Sequence, residues 1–191
     1  MRNSLSPICL FVYNRIEETK LTINALKLND LAKDSDLIIF SDSFKNNFDK
    51  IKVQKVRDFI NNTKGFKSVK IYESKNNKGL ADSVIDGVSF VLKRYEKIIV
   101  LEDDLITTPN FLNFMNQALD FYKSHNKVFS ISGYTMNLPF IKNYNHDYYL
   151  AFRASSWGWG CWRRSWVDVD WALNDYKEFA KSEYFKNEFK R

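Results

Sequence analysis

Three carboxylates stand in a row, Glu102-Asp103-Asp104, directly after the apolar run KIIVL at 97–101. Adjacent like charges repel, and at the end of a buried strand little water is present to screen them. A hard divalent cation relieves that repulsion, because Mg2+ or Mn2+ takes one or two carboxylates and fills its shell with phosphate oxygens. In an extended segment Glu102 and Asp104 point to one side and Asp103 to the other. A plainer reading fits the same residues, since acids ahead of a helix N-terminus are favoured by its dipole.

Four further positions fall where chemistry is expected if strands precede them. Arg15 follows the apolar run PICLFVY at 7–13, in the first turn of an expected helix. Backbone N–H groups there favour an anion, and a guanidinium can fork onto phosphate oxygens, or Arg15 is a solvated surface residue. Asp42 follows the run DLIIF at 36–40 and can accept from a base N–H or a ribose hydroxyl, or serve as a turn aspartate. In NNKGLADS, Gly79 lets backbone approach a ligand and Lys78 can meet a phosphate, although helix entry alone would justify the glycine.

The elements that must position these residues alternate regularly. The apolar runs at 7–13 and 36–40 read as buried strands, and 68–72 and 97–101 as a third and a fourth strand. Helical patterns fill 14–30, 47–62, 76–95 and 108–125, with Asn14 and Glu17 spaced as a capping box. Thr108 is the expected N-cap of the last of these, with Pro109 in its first turn. Four strand–helix repeats with strands apolar throughout imply a parallel sheet covered on both faces. Ligands bind such sheets beyond the carboxyl ends of the strands, where all the candidates fall. After residue 128 the rhythm changes. Strands are expected at 128–134 and 148–154, then comes SSWGWGCWRRSW, then a charged helix over the last twenty residues.

Composition narrows the function classes. An apolar fraction of 45% and 29 Lys/Arg against 23 Asp/Glu describe a folded domain with a mild positive surplus. The lysines are scattered, without a nucleic-acid motif, so nucleic acid is not an expected partner. Cys9 and Cys161 lack metal spacing, and Cys9, inside an apolar run, reads as a buried thiol of a reducing compartment. The N-terminal apolar stretch is too short for a signal peptide or a membrane span, which places the chain in the cytoplasm, with the inner membrane face open to it.

FVYNR after the first strand, the NNKGLADSVIDGV helix entry and EDDL with its proline-led helix together resemble nucleotide-sugar-dependent glycosyltransferases of the GT-A fold. The likeness is to family 2-like bacterial sugar transferases and, through IIVLEDDLITTPNFLNFMN, to the N-acetylglucosaminyltransferase I type. It implies an α/β, Rossmann-like, mostly parallel sheet with helices on both faces, a three-layer sandwich. Residues 1–191 would form one catalytic domain, cut short on its acceptor side. The activity implied is metal-dependent, inverting transfer from a UDP-sugar or similar donor to a glycan or lipid-linked hydroxyl, in polysaccharide biosynthesis.

The resemblance also implies roles. Asp104 would bind Mn2+ or Mg2+, with Asp103 bracing its shell, while Glu102 and Asp103 contact the donor's ribose and sugar. Arg15 and Lys78 would hold the diphosphate, Gly79 the close approach, and Asp42 the base. In such enzymes a carboxylate downstream of the aromatic–glycine segment deprotonates the acceptor; Asp168 and Asp170 follow it here, in no segment that matches. Trp157, Trp159 and Trp162 stack on sugar or close the sheet's edge. Two other readings stand: a non-catalytic domain binding a nucleotide-sugar or glycan, and a sugar nucleotidyltransferase, which needs a glycine-rich loop that FVYNRIEE lacks.

Overall fold

The computed structural model describes residues 4–137, 144–184 and 187. Four strand–helix units come first: β1 (Ile8–Val12), α1 (Ile16–Lys27), β2 (Asp36–Ser41), α2 (Asn47–Ile60), β3 (Ser68–Glu73), α3 (Leu80–Leu92), β4 (Lys97–Glu102) and α4 (Phe111–Phe121). Then follow β5 (Ser130–Ser132), β6 (Trp159–Trp162), α5 (Arg163–Trp166) and α6 (Tyr176–Lys181). The six strands form one sheet in the order β3-β2-β1-β4-β6-β5. β1 to β4 are mutually parallel, and β6 runs antiparallel between β4 and β5.

Alternation along the strands divides the core into two layers. Ile8, Leu10, Ile39, Ile99 and Leu101 pack with Ile23 of α1, Val56 of α2 and Met115 of α4 on one face. Cys9, Phe11, Ile38, Ile98 and Val100 pack with Val88 and Val91 of α3 and Trp166 of α5 on the other. The protein is therefore a three-layer α/β structure with a mostly parallel sheet, as the strand–helix rhythm requires.

Several local expectations are corrected. Asn14 does not cap α1; Arg15 is the N-cap residue without a side-chain cap, and the Asn14 amide donates to Asp49 Oδ1 at 2.8 Å. Helix α4 starts at Phe111, two residues past Pro109, and neither Thr108 nor Pro109 lies in it. Its first turn is completed from another element, because Leu112 N–H donates to Asn29 Oδ1 at 2.9 Å. The span 148–154 is irregular, and the strand lies instead at β6. Within the expected C-terminal helix the structure has six-residue α6, and residues 183, 184 and 187 are helical as well; residues 185–186 and 188–191 lie outside the described part.

The tryptophan–glycine segment builds β6. A Cβ on Gly160 would sit 2.7 Å from the Ile98 carbonyl oxygen and 3.1 Å from Leu119, so only glycine lets β6 and α4 approach. Gly158 has φ +67 and its carbonyl accepts from Gly133 N–H at 2.7 Å. Trp162 is buried and donates Nε1–H to the Leu119 carbonyl at 3.0 Å. Trp159 stacks on Trp166. Both indoles pack into the core from a strand flanked by β4 and β5. Trp157 alone is well exposed, tilted against Tyr134 at 4.7 Å.

Candidate functional site

β1 leads through α1 to β2 on one side, whereas β4 lies on the other, so the strand order reverses between β1 and β4. In open α/β sheets that reversal opens a crevice at the carboxyl ends of the two strands. The residues leaving β1 and β4 there are Tyr13, Asn14 and Arg15, and Glu102, Asp103 and Asp104.

β4 ends at Glu102, so Asp103 and Asp104 lie in a turn and the expected alternation of the triplet does not hold. Both aspartates meet Arg15: one guanidinium nitrogen donates to Asp103 Oδ1 and the other to Asp104 Oδ2, the latter at 3.0 Å. Asp103 is buried and accepts a further bond from Tyr13 N–H at 3.2 Å, while its own carbonyl accepts from the Thr22 hydroxyl at 2.9 Å. Asp104 is half exposed and keeps its second oxygen free of these bonds. The repulsion read from the sequence is thus partly met by the protein's own cation.

The electrostatics follow from burial and these pairings. Burial pushes the Asp103 carboxyl up, Arg15 and Tyr13 N–H pull it back, and the result stays above the ordinary value. Glu102 is also pushed up, by burial first and then by Asp104 and Asp103. Burial lowers Arg15, but Asp103 and Asp104 outweigh it and raise the guanidinium further.

A second cluster follows β2 and β3. The buried Asp42 carboxylate accepts from Ser43 N–H at 2.8 Å, Lys78 N–H at 3.0 Å, Gly79 N–H at 3.0 Å and the Asn77 amide at 3.0 Å. A carboxylate offers about four acceptor positions, so Asp42 is saturated by the loop that enters α3. Gly79 has φ +79 with no atom within 4 Å of a Cβ position; backbone conformation, not crowding, requires the glycine. The Lys78 ammonium pairs with Asp86 at 2.7 Å. Arg57 fastens the same two loops, donating to the Asp42 and Ser74 carbonyls at 3.3 and 2.9 Å.

Tyr13 joins the clusters. Its hydroxyl donates to Asp49 Oδ2 at 3.1 Å and accepts from Lys45 N–H at 3.1 Å, and Asp42 N–H donates to Val12 O beside it. Asn77 lay within the 76–79 span that sequence pointed to, whereas Tyr13, Asp49 and Arg57 were not singled out; the signal for Tyr13 was its place one residue past a buried strand. Asp168 and Asp170 follow α5, both exposed; the Asp170 carboxylate accepts from Ala172 N–H at 3.0 Å and Asn174 N–H at 2.7 Å within its own turn.

Among the described residues no three His, Cys, Asp or Glu side chains converge as a closed metal cage. Asp103 and Asp104 fit a hard ion of another kind, one that takes one or two carboxylates and draws its other ligands from phosphate and water.

No protein-family profile matches the sequence, and no curated protein matches it. Among solved structures, S. aureus TarS is 18% identical over 62% of this chain and 20% of its own, with a TM-score of 0.42. A TarS structure of residues 1–349 is 15% identical over 61% and 33%, at 0.42. The mannosyltransferase PcManGT from Pyrobaculum calidifontis, in complex with GDP-Man and Mn2+, is 12% identical over 67% and 35%, at 0.44. The chain thus matches only 20% to 35% of the length of these proteins, and at TM-scores this low the likeness adds nothing to the sheet order described above.

Proposed function

We propose that the chain is the donor-binding part of a metal-dependent, GT-A-type glycosyltransferase, moving a sugar from a nucleoside-diphosphate sugar to a glycan or lipid-linked hydroxyl. The observation that carries this is the position of Arg15, Asp103 and Asp104 together at the β1/β4 reversal. A cation fork and two carboxylates in a crevice of that kind suit a diphosphate and its divalent counter-ion.

Asp104, half exposed and with one oxygen free, would hold Mn2+ or Mg2+, and Asp103 would brace the shell through its buried bonds. Such an ion neutralises charge growing on a departing nucleoside diphosphate. Arg15 pairs with both aspartates, and with an ion on them its fork would be free to meet phosphate oxygens. Glu102, the last residue of β4 beside the two aspartates, is placed to accept from donor hydroxyls. Asp42, saturated by backbone donors, acts by shaping the loop carrying Lys78 and Gly79; Lys78 reaches a phosphate only on leaving Asp86. Two free thiols in the core accord with a reducing compartment.

Asp170, spent on its own turn, favours a second reading, a domain that binds a nucleotide-sugar without turning it over. A thermal-shift screen of UDP- and GDP-sugars with and without Mn2+ tests both, because a ligand of the folded state raises the midpoint. Stabilisation by one donor only with Mn2+, followed by transfer or hydrolysis, supports the enzyme. Stabilisation without turnover selects the binding domain, and no stabilisation by any donor sinks both.

A further inference from the structure

Phe11, Phe40 and Tyr72 occupy one register across β1, β2 and β3. Their rings stack in sequence, at 5.1 Å and 12° and then at 5.4 Å and 17°. Gly87 of α3 makes room for this ladder, since a Cβ there would lie 2.6 Å from the Phe11 ring. β3 is the edge strand, so the ladder comes out of the core: Phe11 is 4% exposed and Tyr72 37%. Phe90 of α3 packs edge-on against Tyr72 at 5.1 Å and is equally exposed.

The two rings line both of two adjoining hollows between α3 and the sheet edge, of about 410 and 230 Å³. Carboxylates lining the larger hollow are engaged, Glu73 with Arg57, Asp86 with Lys78, and Asp42 with the Ser43, Lys78 and Gly79 N–H groups. Among the described residues Lys70, Lys93 and Arg94 around the groove make no ion pair; Arg94 lies over the Phe90 ring at 5.5 Å. The groove's uncommitted charge is therefore positive, around an apolar corner of two rings.

We propose that this groove binds an acidic saccharide chain, with a sugar ring on Tyr72 and Phe90 and its acid groups on Lys70, Lys93 and Arg94. The C–H face of a pyranose is apolar and seats on an aromatic ring, while its hydroxyls find the Ser74 and Ser83 hydroxyls in the lining. Three cations select acid groups over a neutral glycan. Rings set at 69° offer no slot for consecutive stacked bases, which disfavours a nucleic-acid strand. The binding holds whether or not the chain transfers sugar.

Fluorescence anisotropy with labelled galacturonate hexamer tests it on the whole chain. The acid hexamer binds, its fully methyl-esterified form binds about tenfold or more weaker, and Tyr72→Ala and the double variant Lys70→Glu/Lys93→Glu each lose a similar factor. Both lysines are exposed and outside the core, so the charge variant stands even if Tyr72→Ala fails to fold. Failure of the acid hexamer to bind, equal binding of the ester, tighter binding of a single-stranded oligonucleotide, or no effect of the charge variant overturns the proposal.

Discussion

Replacing Arg15 by methionine keeps the apolar stem and removes the charge that Asp103 and Asp104 share. Asp103's side chain is 4% exposed, so the loss leaves a buried carboxylate with Tyr13 N–H as its remaining side-chain partner. Breaking a buried pair from one side costs about 3–5 kcal/mol. Arg15 is 45% exposed, however, and water screens its part of the pair, so about 2 kcal/mol is expected. The deficit should depend on pH. Burial already holds Asp103 above its ordinary value, and Arg15 is the largest influence pulling it down. A carboxyl whose folded pKa is raised costs stability as pH rises past its unfolded value of about 4, and the cost is complete above the folded value. Without Arg15 the folded value climbs further, so the cost grows and completes at higher pH. Urea unfolding with chelator present should give Arg15→Met a deficit of about 2 kcal/mol at pH 7.5, shrinking toward nil below about pH 4. A deficit equal at every pH, or none, would refute the view that this guanidinium balances the buried aspartate.

Asp42→Asn turns an amide toward backbone donors and should cost about 1.5–3 kcal/mol, with faster amide exchange at Lys78 and Gly79; unchanged exchange there would remove Asp42 as the loop's tether. Gly160→Ala should lower the urea midpoint by an amount equal to about 1–3 kcal/mol, because the carbonyl 2.7 Å from the new methyl belongs to β4 and cannot step aside. A midpoint that did not move would mean β6 packs more loosely than its geometry states.

The first four strands and their helices were legible because β1, β2 and β4, buried on both faces, must be apolar throughout, β3 at the sheet's edge turns Val69 and Ile71 to the core between exposed Lys70 and Tyr72, and helices must show a stripe. β4 and β2 each extend one residue past the apolar run, to Glu102 and Ser41, because ladder bonds continue where the side chain turns polar. Helix starts were less legible: Asn14 and Thr108 have cap chemistry, but tertiary partners decided otherwise, Asp49 taking the first and Asn29 serving α4 in place of the second. The span 148–154 is apolar and aromatic like a strand yet is irregular, since composition alone does not say whether a neighbouring strand is available. Position along the strands also gathered Arg15 with the triplet. It did not reveal that Arg15 would contact the aspartates themselves, because pairing between residues 88 apart in sequence is a property of the sheet order and of no local signal.

The most direct test of the central claim is a calorimetric titration of UDP and GDP into the protein, with and without Mn2+, for the wild type and for Asp104→Asn. Asp104 is half exposed, so the variant should keep its fold and its circular dichroism. The account predicts nucleoside-diphosphate binding that requires Mn2+ in the wild type and is lost in the variant. Equal affinity with and without Mn2+, or the same Mn2+-dependent affinity in Asp104→Asn, would contradict it.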